Sequence, residues 1–360
     1  MKRHMFLAAA LWGCLAVNAT DKQFTSPDGR LQVTVSDDAG KPAYQITYDG
    51  VTFLEKSPLG LITNIGDYSQ NMTLSEEMKQ SSIDERYSLN TIKQRDVHYT
   101  ATEAVCPFVR DGKVIYDVIF RVSNRDVAFR YKMYPQRNTL CCVIDAEATG
   151  FSLPEGTTTF LCPQSKPMSG FARTSPSYET GYTVDDAMGK NGWGEGYSFP
   201  CLFRNADKGW VLISETGVDS YYCGSRLLNQ AGGLYTIGFP QAGEYNGNGT
   251  TNPGLALPGE TPWRTITVGT TLAPIVETTV PFDVVKPLYE ASKKYEYGCG
   301  TWSWIIAGDG SMTYDDQKRY IDFCAAMGYR TVLVDALWDT RVGYEKIEEL
   351  ARYADSKGVG

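Results

Sequence analysis

The chain has 360 residues, 42% of them hydrophobic and 21% charged, and 34 Lys+Arg against 42 Asp+Glu leave a formal net charge of −8. That length admits two domains, and an acidic balance without any basic run argues against a nucleic-acid partner. Only two histidines occur, His4 and His98, so an H-E-x-x-H zinc site is excluded, a Ser-His-Asp triad has at most one base and no local signature, and chemistry should rest on carboxylates.

Met1-Lys2-Arg3-His4 is a short basic start. Residues 5–17 are apolar but too few to span a bilayer, and Val17-Asn18-Ala19 offers the small residues that signal peptidase prefers. Residues 1–19 are therefore expected to be a signal peptide cut after Ala19, placing the protein in the periplasm or outside the cell. Cys14 has Trp12 two positions before it, where a lipid-attachment motif wants a small residue. No later stretch is apolar enough for a transmembrane helix.

From Gln23 to about Val280 the pattern is β. Leu31, Val33 and Val35 alternate, residues 37–42 turn the chain, and Tyr44, Ile46 and Tyr48 alternate again. Asp49-Gly50 precedes Val51 and Phe53, and Asp-Gly between alternating runs is the favoured two-residue hairpin turn because both positions need positive φ. The device recurs at Asp111-Gly112, followed by Val114, Tyr116, Val118, Phe120 and Val122. Asn124-Arg125-Asp126 turns the chain, and Val127, Phe129, Tyr131 and Met133 return. His98 sits in the alternating run Val97, His98, Tyr99 and reads as a half-exposed strand residue. Further strands are expected at residues 210–213 and 265–271, and no helix is expected before residue 284. Many short strands with polar turns predict a β-sandwich.

The period then changes. Residues 287–294 read as a short helix or linker, and residues 298–304 as a strand. Thr313 followed by Asp316 forms a loose capping box, and Tyr320, Ile321, Cys324 and Met327 recur at helical spacing up to Gly328. Residues 331–334 are a short apolar strand of the kind covered on both faces. Tyr344, Ile347, Leu350, Ala351 and Ala354 mark a helix closed by Gly358. Strand, helix, strand, helix is the repeat of a parallel α/β fold. Two such units bury little surface, and an eight-unit barrel takes about 250 residues, so the sequence is expected to stop inside a barrel. The expected domains are the signal peptide (1–19), a β domain (20–283) and an incomplete α/β domain (284–360).

Nine cysteines less Cys14 leave eight in the mature chain, with no C-x-x-C pair; most are expected as buried thiols, with room for one or two bridges. Tyrosine is frequent, with 23 copies, which suits strands as well as carbohydrate-binding surfaces.

Asp335 directly follows the strand at 331–334, and in a barrel the carboxyl ends of strands face the active site. A carboxylate there can bind sugar hydroxyls and an indole can stack on a pyranose ring, which makes Asp335, Trp338 and Trp302 candidate substrate-binding residues. Of the pair Trp302 and Trp304, one indole is expected to line the site and the other to pack outward. Trp193, in the Gly-rich aromatic loop Asn191-Gly192-Trp193-Gly194-Glu195-Gly196-Tyr197, is a further candidate; that loop lacks the Gly-Lys-Ser/Thr of a phosphate loop. Glu179, read alone, is an exposed glutamate.

The mature chain resembles glycoside hydrolase family 97 over essentially its whole length. The matching segments are Ser26-Pro27-Asp28-Gly29, Tyr44-Gln45-Ile46-Thr47-Tyr48, Ser57-Pro58-Leu59-Gly60-Leu61, Thr261-Pro262-Trp263-Arg264-Thr265-Ile266, Tyr320-Ile321-Asp322-Phe323 and Val332-Leu333-Val334-Asp335. The resemblance implies an N-terminal β-supersandwich followed by the first βα units of a (β/α)8 catalytic barrel. It implies an α-glucosidase or α-galactosidase type of activity assisted by Ca2+. Tyr178-Glu179-Thr180-Gly181-Tyr182-Thr183 looks like the family segment whose glutamate helps bind calcium, so Glu179 is the expected metal ligand. Calcium takes several oxygen ligands, and the resemblance puts the others, with the catalytic carboxylates, beyond Gly360. No catalytic residue is assigned within the chain, which is expected to be inactive alone. The Asp335 form of the second strand is closer to the retaining branch. The alternative function is a non-catalytic carbohydrate-binding or scaffold sandwich.

Overall fold

The alternating segments fold as antiparallel strands whose apolar faces meet. The computed structural model describes residues 21–90, 92, 94–164, 181–189, 196–241 and 250–360. The chain divides into two compact units after Lys286.

In the first unit, Lys22–Thr25, Leu31–Ser36, Ala43–Tyr48 and Val51–Pro58 form a meander. A second run pairs Lys79–Ser88, Asp96–Arg110, Lys113–Val122, Asp126–Met133, Trp263–Gly269, Gly209–Thr216, Tyr197–Asn205 and Thr157–Pro163 edge to edge. Short strands at Gly150–Ser152, Leu234–Gly238 and Arg226–Asn229 link the two runs. Both hairpin turns have the conformation that Asp-Gly favours: φ is 49° and 76° at Asp49 and Gly50, and 51° and 72° at Asp111 and Gly112. Facing aromatics fill the space between the layers, with Phe24 5.3 Å from Phe120 and Tyr44 5.1 Å from Phe129. This is a β-sandwich, flanked by a four-stranded sheet that includes Cys141–Glu147 and Leu61–Thr63.

Three departures from the sequence reading have physical causes. Val114 is 41% exposed while Ile115 is buried, because a bulge between Val114 and Tyr116 shifts the alternation. The strand Lys79–Ser88 is nearly all exposed, so it carries no two-residue hydrophobic period to read. Two short helices, Ala273–Glu277 and Val280–Val284, lie where no helix was expected; each has a proline in its first turn, where the missing N–H costs nothing. Buried carboxylates fasten this helical segment to the sheet. Asp126 accepts the hydroxyls of Thr267 at 2.6 Å and Thr278 at 2.7 Å, and Asp283 accepts those of Tyr87 at 2.6 Å and Thr279 at 3.0 Å.

In the second unit, Gly300–Trp302 and Thr331–Leu333 are parallel neighbours. The helix Tyr314–Ala326 connects them; the Thr313 hydroxyl oxygen accepts the Asp316 N–H at 3.2 Å, and Gly328 follows with φ of 68°. A second helix, Tyr344–Ser356, contributes Leu350 and Ala354 to a small core with Ile321, Cys324 and Val359. Residues 285–299 carry neither helix nor strand. The strand expected at 298–304 is only three residues long, because Trp304–Ala307 turns into a short helix. The strand at 331–333 is not covered on both faces in this chain, since Leu333 is 49% exposed.

Candidate functional site

The two parallel strands bring Trp302 and Asp335 together. Trp302 is the last residue of its strand, and Asp335 follows the neighbouring strand by two residues. The Trp302 indole N–H donates to Asp335 Oδ2 at 2.8 Å, while Asp335 Oδ1 accepts the backbone N–H of Ala336 at 2.7 Å. A carboxylate has about four lone-pair positions, so two bonds leave acceptor capacity for a ligand hydroxyl.

Trp302 and Trp304 do not part company as expected. Their rings stack with centroids 5.6 Å apart and planes 18° from parallel. Residues two apart on a strand share a face, and the turn into the helix at Trp304 lays the second ring against the first. Trp302 remains 39% exposed. The Trp304 indole N–H donates to Asp309 Oδ1 at 3.0 Å, and the Asp309 carbonyl accepts from Arg341. Asp309 and Arg341 escaped the sequence reading; the Gly308-Asp309-Gly310 turn was the available signal. The Trp338 ring packs edge-to-face on Tyr344 at 5.1 Å.

The sandwich holds a second polar constellation that the sequence reading missed. Arg264 lies in Trp263–Gly269, a strand buried at every position. Its Nε and Nη2 donate to the two oxygens of Glu147 at 2.9 and 2.6 Å, and Nη1 donates to Glu215 at 2.5 Å and to Ser225 Oγ at 3.0 Å. The Tyr222 hydroxyl donates to Glu147 at 2.9 Å. Burial pulls the guanidinium pKa down, but the charge and hydrogen bonds of Glu147, with the charge of Glu215, outweigh it and raise it. Burial and the Glu147 charge likewise lift the Tyr222 phenol well above its usual value. Arg264 and Glu147 are wholly buried while Glu215 and Ser225 reach the edge of the network, which ties the segment around Tyr222 and Ser225 to three strands.

His98 pairs with Asp84 at 2.9 Å on the exposed outer strand pair, with no nucleophile in the interaction. Among the described residues the cysteines form no disulfide with one another, and five of the eight are buried, so the bridges left open by their number do not form there. Glu179 and Trp193 lie outside the described residues, as does the segment read as a signal peptide. Among the described residues no group of three or more His, Cys, Asp or Glu is placed to hold a metal ion, and no helix is long and apolar enough to cross a membrane.

An antiparallel sandwich is followed in the chain by a pair of parallel strands with an indole and a carboxylate at their carboxyl ends. The chain belongs to the Glycosyl-hydrolase 97 N-terminal family, whose profile matches residues 24–287. The "Probable retaining alpha-galactosidase" of Streptomyces bingchenggensis is 29% identical over 98% of the chain and 54% of its own length. The "Retaining alpha-galactosidase" of Bacteroides thetaiotaomicron is 23% identical over the whole chain and 58% of its own length. The chain thus spans about half the length of the curated relatives it matches. A solved structure described as a beta-arabinopyranosidase is 53% identical with a TM-score of 0.89, covering 94% of this chain and 55% of that one. A family 97 enzyme from Pseudoalteromonas sp. strain K8, solved with panose, has a TM-score of 0.76 at 22% identity over 94% of this chain and 53% of its own, a likeness of fold.

Proposed function

We propose that the protein is a glycoside hydrolase of the α-glycosidase type, with the second unit as the opening of a (β/α)8 catalytic barrel. The observation that carries this reading is the Trp302–Asp335 pair, an aromatic face beside a carboxylate at the carboxyl ends of adjacent parallel strands, where barrel enzymes place their active sites. The catalytic carboxylates are assigned to no residue of this chain.

The relatives favour a galacto-configured ring. An L-arabinopyranose has the ring stereochemistry of D-galactose without its C6 group, and the β bond of the first corresponds in space to the α bond of the second. An alpha-galactosidase and an enzyme cleaving β-L-arabinopyranosides would then differ mainly around C6. A pocket difference of that size is worth about 1–3 kcal/mol, or roughly 10–200-fold in specificity. Assays of a full-length enzyme carrying this chain, on p-nitrophenyl α-D-galactopyranoside, β-L-arabinopyranoside and α-D-glucopyranoside, test this. Hydrolysis of the first two is expected to lead, and a preference for the glucoside would overturn the galacto assignment. The 360-residue chain itself is expected to give no turnover.

Calcium enters the proposal through Glu179. The described residues do not by themselves form the site, and one carboxylate is far short of the six to eight oxygens that Ca2+ takes. The basic, then apolar, then small-residue start supports export to the periplasm or beyond.

A further inference from the structure

Between Trp302 and the helix Tyr314–Ala326 the chain leaves the strand, makes the short helix Trp304–Ala307 and the tight turn Gly308–Ser311, and returns. This excursion carries Trp304, which stacks on Trp302, and Asp309, which accepts the Trp304 indole N–H. An exposed excursion of this kind ordinarily samples many conformations.

Its two ends are joined at the base. The hydroxyl oxygens of Ser303 and Ser311 lie 2.8 Å apart, and both residues are buried. Gln317, fully buried on the following helix, reaches both ends: its Nε2 donates to Ser303 Oγ at 2.9 Å and to the Ser311 carbonyl at 2.9 Å. Those two bonds use both amide protons. Ser311 Oγ also lies 2.8 Å from the Gly308 carbonyl. Ser303 Oγ therefore accepts from both Gln317 and Ser311, and the single proton of the Ser311 hydroxyl is shared between Ser303 Oγ and the Gly308 carbonyl. Gln317 Oε1, by contrast, is buried without a hydrogen-bond partner among the described residues, a cost that an apolar side chain would avoid. What the amide contributes here is its N–H groups.

We infer that Gln317, acting through Ser303 and Ser311, is the positioning residue of the Trp302–Trp304 stack, closing the neck of the 304–310 segment so that the two indoles stand as a preformed platform for one saccharide ring. The saccharide half rests on the glycosidase reading; the positioning half does not. A platform fixed before binding avoids the entropy of ordering it on contact.

The test uses the full chain labelled with 5-fluorotryptophan, with the fluorine resonances assigned by single Trp→Phe variants. In Gln317→Leu the Trp302 and Trp304 resonances should shift and broaden, while Trp210 and Trp263, in the other unit, stay in place. In Gln317→Glu the side chain lacks a proton donor when ionised and regains one when protonated. Its Trp302 and Trp304 resonances should therefore move toward their native positions as pH falls from about 8 to about 5. The wild type is run in parallel, because Asp309, Asp316 and Asp335 are carboxylates of the same region. If the leucine variant melts the second unit, the glutamate variant decides, since one protein is compared with itself at two pH values. Native resonances in Gln317→Leu, or a glutamate variant that only follows the wild-type pH course, would overturn the inference. Adding methyl α-D-galactopyranoside to the wild type should move the same two resonances. Indoles that respond to Gln317 but not to sugar would keep the positioning role and sink the saccharide half alone.

Discussion

Trp302 and Asp335 are 33 residues apart in sequence, and the indole N–H of one donates to the carboxylate of the other at 2.8 Å. Two parallel strands in register, with Trp302 opposite Leu333, produce that meeting. The bond orients the indole without exhausting the carboxylate.

Replacing Asp335 with alanine removes the acceptor. The bond is partly exposed, so its worth is about 1 kcal/mol rather than the larger values of sheltered charged bonds. The Trp302 indole N–H should then exchange with solvent roughly fivefold faster, read by NMR, while Asp335→Asn, which keeps an acceptor oxygen, should stay near the wild-type rate. Equal exchange in the wild type and the alanine variant would remove Asp335 from the site.

The buried Arg264 network should be costly to break. Arg264→Met leaves Glu147 and Glu215 without their cation, and the loss of one partner of a buried ion pair costs about 3–5 kcal/mol. For a domain of this size that corresponds to a fall in melting temperature of roughly 10 °C by calorimetry. Arg264→Met with Glu147→Leu should recover part of the loss, since the second change removes an uncompensated charge. A single variant that melts with the wild type would show that the network is inert.

Asp283 predicts an inverted pH response. Burial raises its pKa above the ordinary 3.8, against the hydrogen bonds of Tyr87 and Thr279. A carboxyl whose folded pKa is raised contributes stability that is present at low pH and is lost as pH rises from the unfolded value through the folded one. Asp126, also raised by burial, adds a like charge nearby. Asp283→Asn cannot ionise, so its melting temperature relative to wild type should climb as pH goes from about 4 to about 7. A relative melting temperature that falls over that range would contradict the assignment.

The calcium proposal makes a separate prediction. In a full-length enzyme, saturating calcium should raise the melting temperature by linkage, about 2.7 kcal/mol at one hundred times the dissociation constant. Glu179→Gln should shrink that shift. An unchanged calcium response in the variant would take Glu179 out of the metal site.

Much of the architecture was legible in the chain. The runs around Leu31, Tyr44, Phe120 and Phe129 announced strands because one face of each had to be apolar, and Asp49-Gly50 and Asp111-Gly112 announced turns because few other pairs adopt positive φ twice. Val114 was misread because a bulge leaves no mark in an otherwise regular alternation. Lys79–Ser88 was invisible because an exposed outer strand needs no hydrophobic period. The candidate site was legible only in part: Trp302 and Asp335 could be named from their place after apolar strands, whereas Asp309, Arg341 and Gln317 could not.

What the sequence alone determined was local: many of the strands with their turns, and where the period changed from two to nearly four. What only the tertiary structure decided was partnership. Arg264, Glu147, Glu215 and Tyr222 come from separate stretches of chain, and nothing in any one of them specifies the others. The stacked indoles and the Gln317 clamp likewise depend on how strand, turn and helix return upon each other. Hydrogen bonds and ring contacts act over a few ångströms in space, and chain folding sets those distances independently of separation in sequence.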